Sequence, residues 1–103
     1  MCGIAGFFYP ASKPPRDASN LLKKITRALV HRGPDAEGYH EESGVGLGHR
    51  RLKIIDLEGG VQPMTSADGR YTIVFNGEIY NFREIRHRLE ARGRKFKTRS
   101  DTE

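Results

Sequence analysis

The sequence is almost empty of cysteine and tryptophan: Cys2 is the single cysteine of 103 residues, and there is no tryptophan. A lone cysteine cannot close an intramolecular disulfide, so the cross-linked framework of a small secreted scaffold is excluded. No apolar run approaches the roughly 20 residues of a membrane-spanning helix. The apolar stretch 3–9 has no basic residue ahead of it and is too short for a signal peptide. A reducing, cytoplasmic setting without a membrane partner is the default expectation. No Gly-rich loop runs into Lys-Ser or Lys-Thr, the pattern that cradles phosphates. No histidine stands at metal-ligand spacing from another His, Cys or carboxylate cluster, so no metal site is expected.

What is present fits one domain. The length lies at the lower edge of the commonest domain size, about 100–150 residues. Hydrophobic residues make up 36% and charged residues 30%, and the mean hydropathy is −0.65. Five Phe and four Tyr still separate the chain from a disordered composition. Twelve Gly and five Pro in so short a chain mean that a large share of the apolar residues must be buried for stability.

The net charge is +5 and the pI about 9.7, a balance that invites a nucleic-acid reading. Its location argues otherwise. Residues 83–99 hold eight basic side chains against Glu84 and Glu90, while the rest of the chain holds ten basic and eleven acidic. The excess is one helix and its exit, which reads as a solvated Arg-rich face. No stacking-aromatic motif or zinc knuckle accompanies it, so a nucleic-acid partner is not favoured.

Residues 3–9 read as a short buried strand closed by Pro10. A helix follows, capped by Asp17 or Ser19, with Leu22, Ile25 and Leu29, joined by Leu21 and Ala28, on one face. Arg27, His31 and Arg32 suit its carboxyl end, and Gly33-Pro34 stop it. Residues 37–42 and 45–50 flank Ser43-Gly44 as a hairpin. The run 52–57 is short and apolar, and 58–63 is a loop by its Gly and Pro content. Asp68-Gly69 separates 64–66 from 71–75 as a second hairpin. A second helix takes Phe82, Ile85 and Leu89 as its inner face and stops at Gly93, and 96–98 reads as one more strand. Strands outnumber helices and tight turns join them, which predicts an α+β fold with mostly antiparallel sheets.

Several residues carry chemistry. Removal of Met1 would make Cys2 the N-terminus, bringing a thiol and a free α-amine onto one residue. An α-amine titrates near roughly 7.7–8.0 and can accept a proton at cellular pH, so one residue supplies nucleophile and base. Equally, a cysteine opening a strand is ordinary packing. Asn76-Gly77 between apolar runs reads as a type I′ turn or as an oxyanion hole, an amide side chain beside a Gly N–H. His31-Arg32-Gly33-Pro34-Asp35 is explained as a helix stop. The pair Arg50-Arg51 ahead of a buried run can point one charge outward and one into a cleft.

Taken together, Met1-Cys2-Gly3-Ile4-Ala5-Gly6, His31-Arg32-Gly33-Pro34-Asp35, Arg51-Leu52-Lys53-Ile54-Ile55-Asp56, Asn76-Gly77-Glu78-Ile79-Tyr80-Asn81 and Ser100-Asp101-Thr102-Glu103 occur in one family's order. The chain resembles the glutaminase domain of glutamine-hydrolysing asparagine synthetases, class II glutamine amidotransferases among the N-terminal nucleophile hydrolases. The resemblance covers residues 1–103. It implies the N-terminal part of a four-layer αββα sandwich, with Cys2 attacking the side-chain amide of glutamine. It implies that Asn76 and Gly77 stabilise the oxyanion, that Arg51 pairs with the substrate carboxylate, and that Glu78 and Asp101 accept from its ammonium. A planar guanidinium fork suits a carboxylate, and a zwitterion needs one cation and at least one anion held apart.

The resemblance further implies that the ammonia passes in cis to an ATP- and Mg-dependent synthetase domain making asparagine from aspartate, in a parent that is a homodimer. That domain is absent from these residues, and no cofactor is expected within them. Two alternatives stay open: a glutaminase domain serving another acceptor in a biosynthetic cluster, and a basic module binding RNA or an acidic partner. The family's glutaminase domain continues past the Ser-Asp-Thr-Glu string. Residues 1–103 are therefore expected to be incomplete at their C-terminus, carrying the site without its full scaffold.

Overall fold

Residues 36–51 fold as the expected hairpin and form the centre of the structure, a computed structural model that describes residues 1–10, 12–53 and 59–103. Strands β2 (Ala36–Glu42) and β3 (Val45–Arg51) pair antiparallel, with Ala36 opposite Arg51 and Glu42 opposite Val45. The turn places Gly44 at φ 89°, a conformation that favours glycine. Strand β1, formed by Gly3–Phe8 (numbered in chain order), pairs antiparallel with the other edge of β3, Gly3 opposite Arg50. The sheet order is β1-β3-β2.

Helix α1 (Ala18–Arg27) covers one face of this sheet, and its Leu22 and Thr26 are fully buried. Asp17 is the cap, its carboxylate accepting from Asn20 N–H at 3.3 Å. Ser19 donates instead to Glu41 at 2.7 Å, tying helix to strand. A Cβ on Gly48 would meet the Thr26 side chain, so this strand glycine sets how closely helix and sheet approach. A polar tie runs alongside: Glu37 pairs with Arg50 at 2.8 Å and with Arg27 at 3.2 Å, and Arg50 also donates to the Gly33 carbonyl at 2.8 Å.

Three expectations about this layer need correction. The helix ends at Arg27, because Leu29, Val30 and Arg32 donate to carbonyls three residues back and the chain tightens. That tightening leaves Ala28 exposed, and Thr26 is the buried neighbour of Leu22. Strand β1 ends at Phe8 and is not buried throughout: Ile4 is 47% and Phe8 85% exposed. Side chains alternate across a strand, and α1 covers only one face.

Beyond the sheet the chain makes a second, minimal hairpin. Strands β4 (Met64–Thr65) and β5 (Thr72–Ile73) pair with Met64 opposite Ile73. Asp68 builds the turn, accepting from the Ser66 hydroxyl at 2.6 Å and from Arg70 N–H at 3.0 Å. The ladder is shorter than the expected 64–66 and 71–75 because the Phe75 N–H goes to the Gln62 side chain.

Helix α2 (Phe82–Ala91) packs against its own C-terminal tail. Arg86 lies over the Phe96 ring at 4.7 Å and donates to the Thr98 carbonyl at 2.6 Å and to Glu90 at 2.8 Å. The inner face is Phe82, Arg86 and Leu89, while Ile85, expected inside, is 39% exposed. A long Arg stem can cover apolar surface while its head reaches polar partners. The other seven basic residues of 83–99 are exposed, as a solvated face requires. Residues 96–98 form no strand: the Lys97 and Thr98 N–H groups donate to the Glu103 carboxylate at 2.8 and 2.7 Å. Most of the run 52–57 lies outside the described residues. The elements make an α+β fold with antiparallel sheets of three and two strands. Among the described residues no helix is long and apolar enough to cross a membrane.

Candidate active site

The β1–β3 register that pairs Gly3 with Arg50 brings Cys2 alongside the end of β3. There Leu52 N–H donates to Cys2 Sγ at 3.3 Å, and the thiol faces the Leu52 carbonyl at 3.7 Å. Arg32, from the turns after α1, donates to the Cys2 carbonyl at 3.3 Å. Cys2 is half-buried and precedes the strand.

Arg51 ends β3 and is 6% exposed. The chain around it is fastened by Asp35, whose N–H donates to the Arg51 carbonyl at 3.0 Å and whose carboxylate accepts from Lys53 N–H at 2.9 Å. The His-Arg-Gly-Pro-Asp string, read from sequence as a helix stop, thus also holds both sides of the Arg51–Lys53 exit.

Asn76 and Gly77 follow the second hairpin in a bend. Gly77 is not among the positive-φ glycines, which excludes the type I′ turn that its sequence context allows. Asp101 reaches this segment from the tail, accepting from Ile79 N–H at 2.9 Å. The tail is closed on itself by Glu103, which also takes the Thr98 hydroxyl at 2.7 Å. Burial raises the Glu103 pKa, but the Lys97 and Thr98 donors outweigh it and hold the carboxyl below its ordinary value.

Cys2, Arg51, Asn76, Gly77, Glu78 and Asp101 all line one cavity of about 350 Å³, at the small end of the usual range for ligand pockets. Arg51 is the single Lys or Arg among the described lining residues. The cavity thus combines a thiol, one cation, two carboxylates, and the amide and N–H of Asn-Gly. That set can hold a zwitterion while a nucleophile attacks a carbonyl carbon.

Two further lining residues carry no signal that sequence reasoning used. His49 is 1% exposed, with Nε2 at 3.3 Å from the Phe75 carbonyl. Burial depresses its pKa, the Phe75 carbonyl raises it in part, and the Arg51 charge adds to the lowering. Gln62 is 8% exposed and bonded at both ends of its side-chain amide. Its neighbours Gly60 and Pro63 mark only a loop.

Residues 1–103 match the family of glutamine amidotransferase domains over the whole chain. The chain is 50% identical over 105 residues to the glutamine-hydrolyzing asparagine synthetase 1 of Bacillus subtilis (strain 168), covering 100% of this chain and 16% of that protein. It is 42% identical over 104 residues to asparagine synthetase 2 of the same organism, covering 100% of this chain and 14% of the relative. A probable glutamine-hydrolyzing asparagine synthetase of Dictyostelium discoideum is 41% identical over 107 residues, with 100% of this chain and 18% of the relative covered. The chain therefore spans less than a fifth of the length of these relatives, and it belongs to the glutamine amidotransferase domain family.

Proposed function

We propose that this domain hydrolyses glutamine to glutamate and ammonia, with Cys2 as the nucleophile. Removal of Met1 frees the Cys2 α-amine, which takes the thiol proton as Sγ attacks the side-chain carbonyl carbon of glutamine. The Asn76 side chain and the Gly77 N–H stabilise the oxyanion, a role in which one donor is worth about 10²–10³ in rate. The C–N bond breaks, the ammonium proton returns to the leaving nitrogen, and ammonia departs. A thioester remains, and water hydrolyses it to glutamate and the free thiol. Arg51 holds the substrate α-carboxylate, and Glu78 and Asp101 hold its α-ammonium. None of these steps calls for a metal or cofactor in this domain.

One observation carries this reading: the six residues come from four separate stretches of chain and line a single cavity. Cys2→Ala in the protein expressed from its complete reading frame tests it. Glutamate release from glutamine should fall to background, and retained release would remove Cys2 as nucleophile.

The similarity to asparagine synthetases supports a wider role. Residues 1–103 would be part of a glutaminase domain in a longer, homodimeric cytoplasmic enzyme with the αββα sandwich. Its synthetase domain, in cis and using ATP and Mg, would spend the ammonia on converting aspartate to asparagine. Asparagine formed from aspartate, glutamine and ATP by the full-length protein is the measurement that decides the acceptor.

A further inference from the structure

Among the described residues, 74–77 have no strand partner, since the β4–β5 ladder ends at Ile73. Side-chain hydrogen bonds to one peptide fasten this segment. The Phe75 N–H donates to Gln62 Oε1 at 2.5 Å. The Phe75 carbonyl meets His49 Nε2 at 3.3 Å, and because a carbonyl only accepts, Nε2 carries the proton. Phe75 directly precedes Asn76-Gly77, so this peptide sets the position of both oxyanion donors.

Gln62 does more than hold Phe75. Its Nε2 donates to Thr102 Oγ1 at 3.2 Å, and Thr102 directly follows Asp101. Its own backbone is seated on the central sheet, where the Gln62 carbonyl oxygen occupies the space a Cβ on Gly38 would need. One buried amide therefore links the segment bearing the oxyanion donors to the segment bearing an ammonium acceptor. Leaving a buried polar group unsatisfied is costly, so both bonds resist breaking.

We infer that Gln62 is a positioning residue that couples the oxyanion donors Asn76-Gly77 to the ammonium acceptor Asp101, while His49 positions the oxyanion donors alone. The inference rests on the glutaminase reading above and deepens it. Oxyanion donors act on charge that develops in the transition state and so govern kcat. Acceptors of the ammonium act on bound substrate throughout and so govern KM.

Glutaminase kinetics of the protein expressed from its complete reading frame test the coupling, with Cys2→Ala as the blank. Gln62→Met should lower kcat and raise KM, each by about 10-fold or more, the scale expected when reacting groups are displaced by a fraction of an ångström to an ångström. Gln62→Glu keeps an acceptor for Phe75 N–H and should recover most of kcat. Thr102→Val should raise KM with kcat nearly unchanged, and His49→Leu should do the reverse. Adding Thr102→Val to Gln62→Met should raise KM no further, because the shared bond is already gone. Wild-type kcat and KM in Gln62→Met, or KM effects that multiply in the double variant, would overturn the coupling while leaving Cys2 chemistry intact. Turnover surviving in Cys2→Ala would instead sink the glutaminase reading and this inference with it. Should Gln62→Met fail to fold, Thr102→Val decides by its KM alone: an unchanged KM refutes the proposal.

Discussion

Two halves of the candidate site are built by different means. Cys2 and Arg51 stand at the ends of β1 and β3, strands hydrogen-bonded along six register pairs from Gly3–Arg50 to Phe8–Val45 and packed under α1. Asn76, Gly77, Glu78 and Asp101 stand on segments outside any ladder among the described residues. Side chains hold that second half: Gln62 and His49 on Phe75, Asp101 on Ile79, Glu103 on Lys97 and Thr98. Cys2 and Arg51 are thus placed by main-chain bonds that substitution hardly touches. The segments bearing Asn76-Gly77 and Asp101 are fastened by groups that a single substitution or a proton can remove.

Arg51 offers the largest expected effect. Arg51→Gln should raise KM for glutamine by about 30-fold or more, since losing one partner of a buried, hydrogen-bonded charge pair costs about 2–5 kcal/mol. Arg94→Gln, on the exposed basic face, should change KM less than twofold. Equal effects in steady-state assays would break the assignment of Arg51 to the substrate carboxylate.

Gly48→Val strikes the sheet half. The added carbons meet Thr26 and should cost about 1–3 kcal/mol of overpacking, read as a lower midpoint in urea or thermal unfolding. Activity should fall with the folded fraction, and KM of the folded protein should hold. A changed KM at unchanged stability would mean that the two halves are not separately built.

Acid gives the smallest effect and separates the clasps by pH. His49 has a depressed pKa in the fold, so the unfolded chain binds the proton first. Its contribution is complete above its ordinary 6.5 and is lost as pH falls from there. Glu103 is likewise depressed, from an ordinary 4.5, so its contribution is lost only below that pH. Stability should decline in two steps on acidification, and amide exchange at Lys97 and Thr98 should accelerate only in the lower one. His49→Leu should abolish the upper step. Its persistence would assign that titration to another group.

The sheet half was the more legible from sequence, and the physics explains why. The Ser43-Gly44 turn between two short runs and an apolar stripe closed by Gly-Pro are local signals, and they locate β2, β3 and most of α1. The end of α1 and the exposure of Ile4 and Phe8 depend on which faces are covered, which no window of sequence contains. In the second half, 96–98 looked like a strand because its composition fits one, but its N–H groups are claimed by a carboxylate five to six residues ahead. The six candidate residues were named from family strings, and the geometry places them around one cavity. Gln62 and His49 went unnoticed because a buried polar residue has no periodicity: its importance lies in partners 13 to 40 residues away.

Met1 has a consequence that reaches past chain trimming. It is 70% exposed and precedes the first laddered residue, Gly3, yet it lines the same cavity as Cys2. Its excision would break no rung of the sheet, so the scaffold around the thiol need not rearrange. On the glutaminase reading, removal of that one residue would free the Cys2 α-amine and so change the chemistry at the cavity without changing the fold.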